Sequence, residues 1–312
     1  MKKQKLKLNI AKVGPVVKQA LKEDLNAKGD ITTKFTVDKN YKVKACLISR
    51  QKGVLSGIDV FGLVFKSVSN KIKFKPCLKD GRKLIPNRTI ARIQGSARNI
   101  LTAERTALNF LGRLSGIATL TNEFVILTKG TSVKILDTRK TTPNLRYLEK
   151  YAVLCGGGYN HRQGLYDQIL IKDNHIEAFR NNEALGRKKR FDKKKTTRIE
   201  AIQIILEKLN RKKISGIKIE IEVETLRELA IALKENPDII MLDNMDLAQI
   251  RKAVKLRDKY YPHPQKKRPC LEVSGRVTAN RVSKLAATGV DMISVGALTH
   301  SAKIIDFSLE ID

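Results

Sequence analysis

The sequence predicts an α/β fold whose larger part is a parallel α/β barrel, and three observations carry that expectation. Short apolar or alternating runs recur from Val133 onward: Val133–Leu136, Gln168–Ile171, Ile217–Ile221, Ile239–Leu242, Cys270–Val273 and Met292–Val295. Helical stretches such as Glu224–Leu233, Asp246–Leu256 and Ala279–Ala287 separate most of them, and strand–helix alternation implies parallel strands with helical crossovers. Polar residues then follow the runs: Arg139 and Lys140, Lys172, Glu222, Asp243, Ser274-Gly275 and Gly296 in turn. In a barrel the C-terminal strand ends open on one face, so such groups converge there. A dinucleotide-binding open sheet would need a GxGxxG turn after its first strand, and the chain has none.

Ahead of the repeat, residues 1–115 mix short strands and helices. Val43–Ile48 and Thr89–Gln94 are rich in β-branched residues and read as strands, with Gly53, Gly57 and Gly81 punctuating turns. A long helix is expected from about Ala97, carrying Leu101, Leu108, Leu111 and Leu114 at near-helical spacing. Between Asn181 and Lys213 the sequence is basic and lacks periodicity; eight of the twelve residues from Arg187 to Arg198 are Lys or Arg. A run of like charges repels itself, so this stretch is expected to be a solvated loop.

Composition narrows the function classes. A chain of 312 residues, 42% of them hydrophobic, can bury a sizeable core as one large domain or two. No apolar run approaches the roughly 18–20 residues that cross a bilayer, and no apolar signal core follows the basic N-terminus, so a cytosolic protein is expected. The net charge of +31 invites a nucleic-acid reading. Against it, the lysines are spread along the chain, aromatics are only 5% and Trp is absent, which leaves no base-stacking platform. Positive charge of this size also concentrates small anionic substrates. Cys46, Cys77, Cys155 and Cys270 lie far apart without CxxC spacing and read as buried free thiols. The four histidines, His161, His175, His263 and His300, show no HExxH spacing, which argues against a tightly held transition metal.

The chemistry-bearing segments alternate cations with carboxylates. Asp137-Thr-Arg-Lys-Thr-Thr-Pro143 sets Arg139 beside Lys140; Arg offers a planar fork that matches a carboxylate, Lys a mobile point charge. Gly156-Gly-Gly-Tyr-Asn-His-Arg162 offers a glycine triplet whose amides could approach an anion, followed by His161 and Arg162. Lys172 closes the apolar run before it. Glu220 and Glu222 share one strand face, because strand side chains alternate, and Asp243 ends the next run. Carboxylates among so many cations suit Mg²⁺ with phosphate partners, or positive charge developing on a sugar ring. Ser274-Gly275 and Gly296 follow the last two strands, where barrels bind phosphate.

These segments, together with Glu104-Arg-Thr-Ala-Leu-Asn109, Leu114-Ser-Gly-Ile-Ala-Thr119, Met241-Leu-Asp-Asn-Met245, Leu271-Glu-Val-Ser-Gly275 and Val295-Gly-Ala-Leu-Thr-His300, resemble the quinolinate phosphoribosyltransferase family in order from about Glu23 to the C-terminus. The resemblance implies an N-terminal α/β sandwich domain (1–115, joined by 297–312) and an incomplete, seven-stranded α/β barrel (116–296). It implies transfer of phosphoribose from 5-phosphoribosyl-1-pyrophosphate to quinolinate with Mg²⁺, and a homodimer whose active site is shared between subunits. By position, Arg139, Arg162 and Lys172 would hold the quinolinate carboxylates with His161 lining the same pocket, and Arg105 would reach it from the neighbouring subunit. Lys140 would face both substrates, Glu222 and Asp243 the ribose and Mg²⁺, and Ser274, Gly275, Gly296 and His300 the 5′-phosphate. The basic stretch is longer than the family leads one to expect, and Arg276 stands where a smaller or neutral residue is common. A paralogous transferase for another heterocyclic acid is the nearest alternative, and the cluster Arg105, Arg139, Arg162 and Lys172 suits two carboxylates rather than one.

Overall fold

The computed structural model describes residues 6–186, 196–212, 216–262 and 268–312. Along the chain come helices α1 (Ile10–Leu25) and α2 (Ile31–Thr36), strands β1 (Lys42–Ser49) and β2 (Gly53–Val54), and helix α3 (Ile58–Val68). Strands β3 (Lys73–Pro76), β4 (Lys83–Leu84) and β5 (Thr89–Ser96) lead into the long helix α4 (Ala97–Leu127). The repeat then runs β6 (Lys134–Leu136), α5 (Arg146–Cys155), β7 (Gln168–Ile171), α6 (Asp173–Gly186), α7 (Arg198–Arg211), β8 (Lys218–Val223), α8 (Leu226–Glu235) and β9 (Ile239–Asp243). It ends with α9 (Leu247–Tyr260), β10 (Cys270–Ser274), α10 (Ala279–Ala286) and β11 (Met292–Ser294), before the short α11 (Ala297–His300) and β12 (Phe307–Ile311).

The chain divides into two units. The first comprises Met1–Ile126, Asp137–Asn160 and Gly296–Asp312, the second Leu127–Leu136 and His161–Val295. In the first, an antiparallel sheet of order β12-β1-β5-β3 is built from both ends of the chain, with Leu47 opposite Leu309 and Ala45 opposite Ile93. Helix α4 turns most of its expected apolar face inward: Leu108, Leu111 and Leu114 are buried, while Leu101 is half-buried. Two glycines on it serve close approach. A Cβ on Gly116 would meet the main-chain oxygen of Lys303 at 1.9 Å, and one on Gly112 would meet that of Ile305 at 2.9 Å. Inside a helix, glycine to alanine ordinarily gains about 0.5–1 kcal/mol. Here backbone must move to admit the methyl group, so Gly116→Ala is expected to lose about 1–3 kcal/mol instead. Urea unfolding checks the sign: a midpoint equal to or above that of the parent contradicts this packing.

In the second unit the six parallel strands pair in the order β6-β11-β10-β9-β8-β7. The ladder is not closed on itself, which is the incomplete barrel the sequence led one to expect. Among the described residues six strands pair, one fewer than the seven expected. The register explains the mixed strand sequences. Ile135, Ile169, Ile171, Ile219, Ile221, Ile240, Leu242, Leu271, Val273 and Ile293 share one face; Gln168, Glu220, Glu222, Met241, Asp243, Glu272, Ser274 and Ser294 share the other. One face is thus a continuous apolar layer, and the opposite one carries the acids.

The strand boundaries agree with the sequence to within one or two residues, but two expectations are corrected. The stretch from Asn181 to Lys213 is not one loop: α6 runs to Gly186 and α7 begins at Arg198. Helix α7 starts on a capping box between Thr197 and Glu200, buries Ala201, Ile202 and Leu206, and has Arg198 paired with Glu224 and Glu228. The charge density of the segment masked that amphipathic spacing. Residues 187–195, the core of the expected basic loop, lie outside the described residues. The four thiols are free, but only Cys155 is buried; Cys46 and Cys270 are half-buried and Cys77 is exposed. Among the described residues no helix is long and apolar enough to cross a membrane.

Candidate active site

In the second unit, adjacent strands bring the expected cation and acids together. Lys172, the residue after β7, places Nζ 2.8 Å from Glu222 Oε1 at the end of β8. Glu222 is in register with Met241, so Asp243, two residues on, lies on the same face one step toward the strand end. Burial, and then the charge of Glu222, raise the Asp243 carboxyl above the ordinary aspartate range. Asp243 pairs in register with Ser274 on β10. The following Gly275 has φ +94°, and a Cβ there would stand 2.5 Å from Asn244 Oδ1, so the turn admits only glycine without rearrangement. Arg276 also adopts a positive φ, +48°, and is exposed.

Deeper on the same face lies a buried polar network. Arg162 is only 7% exposed, and its Nη1 donates to the Gln168 carbonyl at 3.2 Å. Its main-chain N–H donates to His161 Nδ1 at 2.7 Å. His161 Nε2 lies 3.0 Å from Glu220 Oε2 and 3.6 Å from Glu272 Oε1, within electrostatic reach although neither is a straight hydrogen bond. The Gln168 amide donates to Glu220, and Ser294 Oγ donates to Glu272 Oε1 at 2.5 Å. Both glutamates are completely buried, which pushes each carboxyl up to about 8; the charge of Glu222 adds to the effect on Glu220, and that of Glu220 to the effect on Glu272.

In the first unit, Arg139 is half-buried, with its Nε screened from solvent and without a hydrogen-bond partner, while Lys140 is exposed. A buried scaffold fixes the loop that carries them. Glu149, wholly buried on α5, accepts from Arg113 Nε and Nη2 at 3.1 and 2.7 Å and from Thr142 N and Oγ1 at 3.1 and 2.8 Å. Lys150 pairs with Asp137, both completely buried. The carbonyl of Lys140 itself accepts from Thr299 Oγ1 at 2.7 Å. Gly296 sits close against this loop: a Cβ there would meet Lys140 Cδ and His300 Nε2, each at 3.2 Å. Lys140, Gly296 and His300 therefore form one neighbourhood. Arg105 is exposed on α4.

One sequence expectation fails here. The amides of the glycine triplet are not presented to an anion, because Gly156, Gly157 and Gly158 donate to the carbonyls of Ala152, Leu154 and Val153 and so close the end of α5. The triplet serves packing instead: Cβ atoms on Gly156 and Gly158 would stand 2.6 and 2.7 Å from Thr121 side-chain atoms. Glu149, Lys150, Gln168 and Glu272 were not legible as parts of a site. The first two sit in a helix of ordinary amphipathic appearance, and Glu272 in a strand resembles any solvent-facing acid until the register turns it inward.

The profile described as quinolinate phosphoribosyl transferase, N-terminal domain, matches residues 30–115, and that of the C-terminal domain matches residues 117–310. The chain is 38% identical over 297 residues to the nicotinate-nucleotide pyrophosphorylase [carboxylating] of Mycobacterium leprae, covering 95% of each chain. It is 40% identical over 298 residues to a probable enzyme of the same name from Methanocaldococcus jannaschii, covering 95% of this chain and 96% of that one. The solved structure of nicotinate-nucleotide pyrophosphorylase from Francisella tularensis superposes with a TM-score of 0.83 at 37% identity, covering 98% of both chains. With both halves of the sequence matched in order and the fold shared along its length, the chain belongs to the quinolinate phosphoribosyl transferase family.

Proposed function

We propose that the chain joins quinolinate to 5-phosphoribosyl-1-pyrophosphate, releasing pyrophosphate and CO₂ and yielding nicotinate mononucleotide for NAD biosynthesis. The observation that carries this reading is the pairing of the cation Lys172 with Glu222, next to Asp243 on one face of a parallel sheet, with the buried Arg162 and Lys172 both acting on Glu220 of the same strand. Arg139, Arg162 and Lys172 replace the water around the two adjacent carboxylates of quinolinate, and His161 walls the same pocket. Lys140 serves the pyrophosphate side. Ser274, Gly275, Gly296 and His300 take the 5′-phosphate.

The residues suit a reaction of positioning and electrostatics. The quinolinate ring nitrogen donates its lone pair to the anomeric carbon as the bond to pyrophosphate breaks, and Glu222 and Asp243 stabilise positive charge on the sugar. The C2 carboxylate then leaves as CO₂; its bonding pair stays on C2, held by the quaternised nitrogen, until a proton replaces it. No side chain needs to become a covalent nucleophile. Glu222 and Asp243 also fit Mg²⁺, since a hard cation takes carboxylate oxygens and would offset the burial and the Glu222 charge that raise Asp243. When bound it would neutralise pyrophosphate charge. We further propose a homodimer in which Arg105, exposed on α4, acts on the quinolinate of the neighbouring subunit. Phe35 of the first unit, 82% exposed, and Leu165 and Tyr166 of the second, 72% and 80% exposed, are separate apolar residues that a second copy would cover.

A substrate comparison tests the assignment. Nicotinate lacks the C2 carboxylate, and each charged hydrogen bond forfeited is worth about 1.5–3 kcal/mol, roughly ten- to hundredfold in rate. Quinolinate is therefore expected to outpace nicotinate by at least that factor in kcat/KM. Equal turnover of both would sink the dicarboxylate reading.

A further inference from the structure

We propose that Glu272, with Glu220 and Gln168, is a positioning residue that holds the His161 ring and thereby sets Arg162 for the substrate carboxylate. The inference rests on the quinolinate reading and adds residues that this reading leaves unused. Two arms fix Arg162. Its main-chain N–H donates to His161 Nδ1 at 2.7 Å, and its guanidinium donates to the Gln168 carbonyl at 3.2 Å. Each arm ends on a buried acid. His161 turns Nε2 toward Glu220 and Glu272, 3.0 and 3.6 Å away, and the Gln168 amide donates to Glu220. Glu272 is itself fixed by Ser294 Oγ at 2.5 Å.

The tautomer follows from this geometry. A ring nitrogen that accepts a main-chain N–H carries no proton, so the imidazole proton resides on Nε2, facing the acids. His161 with Glu220 and Glu272 has the residue types of a cation site, but the atom that would have to bind the ion is the protonated one. The cluster is better matched to orienting a ring than to coordinating a metal. The same acids would attract the imidazole whether or not substrate is present, so Arg162 is pre-set before quinolinate arrives.

The test compares Glu272→Gln with Glu272→Leu. Glutamine keeps an oxygen for the His161 N–H and for Ser294; leucine keeps the bulk and removes both acceptors. Glu272→Leu is expected to raise KM for quinolinate about ten- to hundredfold, the scale seen when a partner orienting a binding group is lost, with KM for phosphoribosyl pyrophosphate unchanged. Glu272→Gln should remain within about threefold of the parent on the same scale. Gln168→Met, which removes the amide that donates to Glu220 but leaves the main-chain carbonyl that accepts from Arg162, should raise the same KM and serves if the leucine variant does not fold. Equal rises in both KM values, or no rise in either variant, would overturn the inference. A readout independent of turnover separates it from the functional reading: ¹⁵N spectra of labelled histidine should show His161 protonated at Nε2 in the parent. A proton on Nδ1 would overturn the positioning role even in a fully active enzyme. An inactive parent with the expected tautomer would overturn the quinolinate reading, and with it the role assigned to Arg162.

Discussion

Arg162→Ala is expected to reduce kcat/KM for quinolinate by about two to three orders of magnitude. Arg162 is 7% exposed, and a neighbouring surface cation cannot replace it. Truncating one member of a buried charge pair costs about 2–5 kcal/mol, much of it from the partner charge left unpaired. On the proposed reading that partner is a substrate carboxylate, and the buried Glu220 also loses a nearby positive group. Arg162→Lys should recover only part of the loss, because an ammonium lacks the planar fork and cannot reach the Gln168 carbonyl in the same geometry. Steady-state kinetics with thermal unfolding as a control checks both variants. An Arg162→Ala enzyme with kcat/KM within threefold of the parent contradicts the site.

Mixing two inactive variants, Arg105→Ala and Lys172→Ala, is expected to restore about a quarter of parental activity under statistical pairing into two-fold dimers. Each homodimer has a defect in every site. If Arg105 acts across the interface, a mixed dimer gathers both defects into one site and leaves the other intact. Half of the dimers are then mixed and half of their sites work. If Arg105 serves its own subunit, every site retains one defect and mixing recovers nothing. If Arg105 is only an ordinary arginine on a helix surface, Arg105→Ala alone stays active. Co-refolding followed by activity assay, with mixed dimers counted by differential tagging, decides among the three.

Much of the fold could be read from the sequence because its signals are local. The runs at Gln168–Ile171 and Ile239–Leu242 are short, apolar and bounded by polar residues, and both became strands at those positions. Helix α4 announced itself through Leu108, Leu111 and Leu114. What was missed depends on long-range packing. Helix α1 buries Val13, Val17 and Leu21, a clear four-residue spacing that lysines on the other faces obscured. Strand β12 acquires its meaning only by pairing with β1, more than 250 residues earlier in the chain. For the candidate site, the placement of Lys172, Glu222 and Asp243 together was legible because the ends of parallel strands share one side of the sheet. The supports were not: Glu149 joins Arg113 and Thr142 through folding alone, and Glu272 is turned toward His161 by register. The glycine triplet shows the opposite error, a composition that suggested an anion site and proved to be the end of a helix.

Product analysis gives a decisive test of the proposed reaction. The protein is mixed with phosphoribosyl pyrophosphate, Mg²⁺ and quinolinate carrying ¹³C in the C2 carboxylate, and the products are followed by mass spectrometry. Nicotinate mononucleotide, pyrophosphate and ¹³CO₂ are expected in equal amounts, with no label in the nucleotide. Label retained in a dicarboxylate nucleotide, or no consumption of quinolinate by folded protein, would contradict the account.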